Sequence, residues 1–238
     1  MKAYYHSIET FGAVDGPGIR YVLFLAGCNL GCAFCHNPDT WTQGKKTITV
    51  AEVLEDIAKY RSFYEASGGI TVSGGEPLLQ AGFVAELFQA CKAEGIHTVM
   101  DTSGYASRQD VEMVLPYADQ VLFCLKAVSP KVHRQLTVGD NDAIIANLQH
   151  IVAATTVTVR YVIIPGINDS QSELMALAGL LHALTTPVKA ELLPYHTLGR
   201  HKWDSLGLPY RLPTAPDAKP DDMNRAKQIL EDAGIAVL

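Results

Sequence analysis

The chain has 238 residues, of which 48% are hydrophobic and 18% are charged. That length fits one α/β domain with a large core. The formal net charge of −6 at pH 7 argues against a nucleic-acid partner bound through its phosphates, because such binding favours a basic surface. The first residues lack the apolar stretch of a signal peptide, and no run approaches the ~20 apolar residues that span a bilayer. We therefore expect a cytoplasmic protein with no membrane or nucleic-acid partner.

Short apolar segments alternate with amphipathic segments along the chain. Strands are predicted over residues 20–25, 70–73, 97–101, 120–125, 157–164 and 189–193, and most are rich in β-branched or aromatic residues, as buried parallel strands are. Helices are predicted over residues 50–64, 83–94, 108–115, 143–153, 172–184 and 222–233. Thr49 is the expected N-cap of the first helix.

Six strand–helix units are too few for a closed eight-stranded barrel. The sequence therefore predicts an α/β fold, a partial (β/α)6 barrel with parallel strands, in which residues 1–238 form a single domain. Its active site should lie at the carboxyl ends of the strands. Residues 196–220 contain four prolines and are predicted to form a long loop.

Three of the five cysteines, Cys28, Cys32 and Cys35, lie within eight residues after the first predicted strand. Cysteines this close make a poor disulfide framework, whereas thiolates are soft ligands for iron–sulfur clusters and zinc. Three thiolates bind three corners of a four-iron cluster and leave one iron open to a small molecule. The alternative is a structural zinc with His36 as the fourth ligand. The spacing favours the cluster, because His36 directly follows Cys35 and would have to turn back onto the same ion.

The pattern Cys-x3-Cys-x2-Cys, with Phe34 before the third cysteine, resembles the radical S-adenosylmethionine (SAM) superfamily. Other segments resemble its glycyl-radical-enzyme activases, and above all the activating enzymes of pyruvate formate-lyase (formate acetyltransferase). These segments are GAVDGPGIR at 12–20, SGGEP at 73–77, DTSG at 101–104, RYVIIPG at 160–166 and LLPYH at 192–196. The resemblance covers nearly the whole chain. The inserted ferredoxin-like segment of many related activases is absent from this sequence.

The resemblance implies a radical SAM-type barrel with a [4Fe–4S] cluster on Cys28, Cys32 and Cys35 and SAM at the open iron. One electron from the cluster would cleave SAM to methionine and a 5′-deoxyadenosyl radical, which would take hydrogen from a glycine of the partner. The expected partners are therefore a glycyl radical enzyme, formate acetyltransferase, and a reduced flavodoxin-like electron donor. We expect the enzyme to be a monomer.

The resemblance also indicates which residues bind SAM. Lys126 is expected to neutralise the SAM carboxylate and to act with the cluster cysteines as a catalytic residue. Arg160 lies in an apolar strand and needs a partner such as SAM or Asp101. Each of these assignments has an alternative without a ligand. Gly74 and Gly75 could form an ordinary turn, Lys126 could be a solvated charge, and His196 could have a structural role. The expected SAM contacts are Phe34, His36, Asn37, Gly74, Gly75, Glu76, Asp101, Ser103, Lys126, Arg160 and His196.

Cys124 departs from the family pattern, which has an aspartate immediately before Leu-Lys. In the family, that aspartate forms a monovalent cation site, for K+ or Na+, with the residues matching Asp101 and Thr102. A neutral thiol is a poor ligand for a hard alkali cation. We expect weakened cation binding here. The alternatives are that the cation is absent or that SAM is cleaved differently.

Asp15 resembles a residue that contacts the partner's glycine loop, although Asp15-Gly16 also fits a simple turn. Cys91 lies in a predicted helix and is expected to be a packing residue. Two further functions stay open, namely activation of another glycyl radical enzyme and electron transfer by a non-enzymatic iron–sulfur carrier.

Overall fold

Residues 1–64 and 67–238 are described in the computed structural model of the chain. The strands are β1 (Lys2–Gly12), β2 (Arg20–Leu25), β3 (Thr47–Thr49), β4 (Gly69–Gly74), β5 (His97–Thr102), β6 (Gln120–Leu125), β7 (Thr156–Ile163) and β8 (Lys189–Pro194). The helices are α1 (Val50–Ala58), α2 (Arg61–Tyr64), α3 (Ala81–Ala93), α4 (Arg108–Val114), α5 (Pro130–Leu136), α6 (Asp142–Val152), α7 (Gln171–His182), α8 (Arg200–Ser205) and α9 (Pro220–Asp232). None of the helices in these ranges is long and apolar enough to cross a membrane.

The described residues form one open sheet with the strand order β3-β1-β2-β4-β5-β6-β7-β8. Strands β2 and β4 to β8 run parallel, whereas β1 is antiparallel to both β2 and β3. The sheet does not close, because β3 and β8 lie at its two edges. The predicted partial barrel of six parallel strands is therefore confirmed.

The two faces of the parallel strands differ in chemistry. Leu23, Val72, Met100 and Phe123 are completely buried and belong to the large apolar core shared with the helices. Alternate positions point the other way and carry apolar side chains, such as Val99 and Leu122, as well as polar ones. The polar inward-facing residues of strands β4 to β8, which contact one another, are Ser73, Asp101, Cys124, Arg160 and Glu191.

The helix predicted over residues 50–64 is interrupted in the structure. Helix α1 begins at the predicted cap, where Thr49 and Glu52 form a capping box. It ends at Ala58, since the amides of Lys59 and Tyr60 bond to carbonyls three residues back rather than four. A short α2 follows. The apolar spacing is helical throughout this stretch and so gave no sign of the break.

Several elements lie outside the predicted set. Strand β1 has a largely half-exposed pattern that does not resemble a buried parallel strand, yet it covers the edge of β2. Strand β3 and helix α5 were also not predicted. The prediction of a long loop over residues 196–220 is wrong in part, because a 3-10 turn at Thr197–Gly199 and helix α8 lie within it. Trp203 of α8 is almost completely buried, and its packing holds the segment in place.

Candidate active site

A cavity of about 390 Å³ opens at the carboxyl ends of the parallel strands. Small-molecule sites in proteins span ~300–1,000 Å³, so this cavity is large enough for a cofactor. Asn37, Glu76, Arg160 and Asp15 are not part of its lining. The predicted site residues that do line it are Cys28, Cys32, Phe34, Cys35, His36, Gly74, Gly75, Asp101, Thr102, Ser103, Cys124, Lys126 and His196.

The cysteine loop follows β2 and is held by hydrogen bonds that its backbone amides donate to other parts of the chain. The Cys28 amide donates to the Trp41 carbonyl at 3.1 Å, and the Ala33 amide donates to the Leu136 carbonyl of α5 at 2.7 Å. Cys28, Cys32 and Cys35 form no disulfide, and each residue is partly exposed. The loop therefore presents three thiols to one cavity.

Helix α8 packs against the end of this loop. The Trp203 indole nitrogen donates to the Cys35 carbonyl at 2.9 Å. The Lys202 ammonium donates to Asn37 Oδ1 at 2.7 Å and lies 3.2 Å from Asp39 Oδ2. Asn37 thus faces Lys202. These contacts were missed in the sequence because residues 196–220 carried no helical signal.

The glycine pair after β4 fits closely against the cysteine loop. Gly74 has a φ of +114°, which favours glycine. A Cβ on Gly75 would lie 2.1 Å from the Gly27 carbonyl oxygen. That same oxygen accepts a hydrogen bond from the Glu76 amide at 2.8 Å. Backbone of the two loops is in direct contact, so the glycines are required for packing as well as for any ligand.

Glu76 orders the loops after β4 and β5. Its side chain is 1% exposed, and its carboxylate accepts hydrogen bonds from the Thr102 hydroxyl at 2.6 Å and from the Ser103 amide and hydroxyl at 2.9 and 2.6 Å. The Leu78 amide donates to it at 3.1 Å. These bonds commit both carboxylate oxygens to the protein, and they fix where Ser103 lines the cavity.

Asp101 lies at the centre of the polar inner face. Cys124 Sγ donates to Asp101 Oδ1 at 3.0 Å, and the Ser73 hydroxyl donates to Oδ2 at 2.7 Å. Burial, followed by the charge of Asp101, raises the pKa of the Cys124 thiol far above its usual range. For Lys126, burial favours the neutral form, whereas negative charge on neighbouring groups, Asp101 among them, raises the pKa. The cavity floor therefore brings Cys124, Asp101 and Lys126 together.

Arg160 has acidic partners, as the sequence requires. Its Nε lies 2.6 Å from Glu191 Oε2 and its Nη1 lies 3.9 Å from Asp101 Oδ2. It also donates to the Val14 carbonyl. Burial, with the charge of Asp101 next, raises the pKa of Asp15, and Arg160 opposes that rise. Asp15 thus lies close enough to Arg160 and Asp101 to feel the charge of both.

One aromatic pair and one cation–π contact complete the site. The rings of His36 and His196 meet edge to face with centroids 5.1 Å apart. Burial, followed by the charge of His196, lowers the pKa of His36. The Lys126 ammonium lies 6.0 Å from the centroid of the Phe34 ring, which is within the range of a cation–π contact.

Comparison with known proteins decides the family. The family described as the Radical SAM superfamily matches residues 22–178. This chain belongs to the radical SAM superfamily. "Pyruvate formate-lyase 1-activating enzyme" of Escherichia coli strain K12 is 41% identical over 238 residues, covering 98% of this chain and 97% of that protein. "Pyruvate formate-lyase-activating enzyme" of Staphylococcus epidermidis is 40% identical over 232 residues, covering 93% of this chain and 92% of that protein.

Solved structures agree with the radical SAM fold. A crystal structure of a domain of pyruvate-formate lyase-activating enzyme from Bacteroides vulgatus has a TM-score of 0.61 at 26% identity, covering 72% of this chain and 98% of that chain. Streptococcus suis SuiB bound to precursor peptide SuiA has a TM-score of 0.72 at 15% identity, covering 97% of this chain and 50% of that chain. The second likeness concerns the fold alone.

The radical SAM family implies a [4Fe–4S] cluster and SAM, and the donor set fits both. Three thiols line one cavity, which also presents Lys126. The ring of His36 packs on His196 rather than adding a fourth ligand. Within residues 1–64 and 67–238, no group of three or more His, Cys, Asp or Glu side chains is arranged around a single metal ion.

The close contact between the two loops predicts the effect of Gly75→Ala. The added Cβ would overlap the Gly27 carbonyl oxygen at 2.1 Å, so the cysteine loop must move. We expect the variant to lose about 1–3 kcal/mol of unfolding free energy, as overpacked sites do, and to retain less iron after anaerobic reconstitution. Denaturant melts and iron assays measure the two effects.

Gly179→Ala in helix α7 is the matched control, because no atom of residues 1–64 and 67–238 outside that helix's own backbone lies within 4 Å of the added Cβ. We expect it to keep full iron content and to gain about 0.5–1 kcal/mol of stability, the usual gain of Ala over Gly within a helix. Equal iron content in the two variants would contradict this account of the loop contact.

Proposed function

We propose that this radical SAM chain activates pyruvate formate-lyase (formate acetyltransferase) by generating a glycyl radical on it. The observation that carries the proposal is the convergence of Cys28, Cys32, Cys35 and Lys126 on one cavity. It occurs in a chain that aligns over 98% of its length with a pyruvate formate-lyase 1-activating enzyme at 41% identity.

When bound, the cluster and SAM supply the one-electron cleavage that yields methionine and a 5′-deoxyadenosyl radical, which takes a hydrogen atom from glycine and becomes 5′-deoxyadenosine. In this proposal Cys28, Cys32 and Cys35 hold three irons. Lys126 offers its positive charge to the SAM carboxylate. The backbone of Gly74 and Gly75 approaches the methionyl amine.

The other residues predicted to contact SAM lie in the cavity lining or directly behind it. His36, His196, Phe34 and Ser103 line the cavity. In this proposal the three rings enclose the adenosyl group, and Ser103 contacts the methionyl part. Excluding water and stray groups matters here, since a primary carbon radical reacts with most C–H bonds within reach. Asn37, Glu76 and Arg160 lie behind this lining and contact residues that form it, namely Thr40, Ser103 and Asp101, respectively.

We further propose that Asp15 contacts the glycine loop of the partner. It is partly exposed, and its segment is fixed on the inner face because Arg160 and Thr71 donate to the Val14 and Asp15 carbonyls. The proposed enzyme is a single-domain cytoplasmic monomer whose electron comes from a reduced flavodoxin-like protein.

Spin resonance tests the proposed activity. The reconstituted protein, mixed without oxygen with SAM, a reductant and pyruvate formate-lyase, should produce a glycyl radical signal and a matching amount of 5′-deoxyadenosine. Cys32→Ala should abolish both, because one corner of the cluster loses its ligand. Cys91→Ala is the matched control, since that thiol is completely buried in α3.

Two results would overturn this function. One is SAM cleavage without any glycyl radical on pyruvate formate-lyase, which would direct the search to other glycyl radical enzymes. The other is full activity in Cys32→Ala.

We also propose that the monovalent cation site beside SAM is present but weakened. Cys124 and Ser73 each donate to one oxygen of Asp101. The Thr102 hydroxyl donates to Glu76 and accepts from the Gly104 amide. Few side-chain oxygens are left for a K+ or Na+ ion, and the neutral Cys124 thiol adds no charge.

Cys124→Asp should restore a response to K+. Removing one negative charge ~4 Å from a cation weakens the attraction by up to ~4 kcal/mol at an effective dielectric constant of ~20. The wild-type rate of SAM cleavage should therefore depend less on KCl than the rate of Cys124→Asp, with choline chloride balancing ionic strength. Cys124→Ser should behave like the wild type. Equal KCl responses in all three proteins would refute weakened binding.

A further inference from the structure

Trp41 lies beside the cluster cysteines but has no role in the proposed chemistry so far. It follows the 3-10 turn Pro38–Thr40, and its ring lines the cavity with Cys28 and Cys35. Its carbonyl accepts the Cys28 amide at 3.1 Å. Its backbone is therefore anchored to the loop that carries all three thiols.

The Trp41 indole nitrogen is a buried donor with no ordinary hydrogen-bond acceptor among residues 1–64 and 67–238. Buried polar groups in native proteins nearly always have a partner, so a donor left over next to a cofactor cavity calls for one. Trp41 and Cys35 line the same cavity, and the carbonyl of Cys35 already accepts the neighbouring Trp203 indole N–H. The Cys35 sulfur is the acceptor of that residue that this contact leaves open.

A second tryptophan fixes this arrangement. The rings of Trp41 and Trp203 meet edge to face with centroids 5.0 Å apart. Trp203 donates its own indole N–H to the Cys35 carbonyl at 2.9 Å. Two indoles therefore meet next to Cys35. The Trp203 donor is bound to the backbone oxygen of Cys35, whereas the Trp41 donor has no partner among residues 1–64 and 67–238.

We propose that Trp41 is a positioning residue whose indole N–H donates to the Cys35 sulfur of the bound cluster and raises the reduction potential of that cluster. Hydrogen bonds to cluster sulfurs are one of the factors that set the potentials of iron–sulfur centres. Reduction adds one negative charge to the cluster, so a donor aimed at a ligand sulfur stabilises the reduced state more than the oxidised state.

Potentiometric titration of the reconstituted protein, without SAM or partner, tests this. In Trp41→Phe the equilibrium constant for one-electron reduction should fall about threefold to tenfold, tenfold being 59 mV for one electron. Trp203→Phe is the matched control, because it removes an indole N–H that binds a carbonyl. It should shift the constant much less. An unchanged potential in Trp41→Phe, or an equal shift in both variants, would overturn the proposal.

A second measurement decides the matter even if Trp41→Phe binds too little cluster to titrate. Protein carrying tryptophan labelled with 15N only at the indole nitrogen should show a 15N coupling to the reduced cluster in pulsed spin resonance. The coupling should persist in Trp203→Phe. Its absence from labelled wild-type protein would refute the hydrogen bond.

This inference rests on the cluster alone and not on the identity of the partner. If Trp41→Phe shows the expected shift in reduction potential but no glycyl radical forms, only the proposed activation of pyruvate formate-lyase is refuted. A glycyl radical with no shift and no 15N coupling would remove only the role of Trp41.

Discussion

The cysteine loop depends for its shape on backbone contacts made by its neighbours. Apart from the 3-10 turn Pro38–Thr40, the segment between β2 and β3 has no regular secondary structure. Helix α5 holds it through the Ala33–Leu136 hydrogen bond, helix α8 through the Trp203–Cys35 hydrogen bond, and the loop after β4 through the contact of Gly75 with Gly27. The three thiols converge because separate elements of the fold each fix a different part of one loop.

The same fold places a network of polar side chains on the inner face of the sheet, opposite the large apolar core. Charged groups inside a protein are costly unless they are paired. Here Arg160 lies between Glu191 and Asp101, and Asp101 in turn accepts from Cys124 and Ser73. Lys126 lies at the cavity end of this network, where burial lowers its pKa and the negative charge of Asp101 raises it. A ligand that brings a carboxylate to Lys126 would enter a site already arranged for it.

Much of this architecture is readable from the sequence. Parallel strands buried on both faces form apolar runs. The repetition of these runs predicted the open barrel and indicated that the cysteine loop lies at the carboxyl ends of its strands. The family motifs then supplied the chemistry. The sequence did not reveal β1, which is half-exposed, or α8, which is hidden in a proline-rich segment. Glu191 and Trp41 were also missed, because Arg160 and Glu191 meet across 31 residues of chain and the place of Trp41 becomes visible only when the loop is folded.

The central claim is that Cys28, Cys32 and Cys35 hold a four-iron cluster whose remaining iron binds SAM. Electron–nuclear double resonance of the reduced, reconstituted protein with SAM labelled by 15N at the methionyl amine tests it most directly. A 15N coupling that appears with labelled SAM and vanishes with unlabelled SAM is the predicted result. A correctly loaded four-iron cluster with no such coupling at saturating SAM would contradict the account.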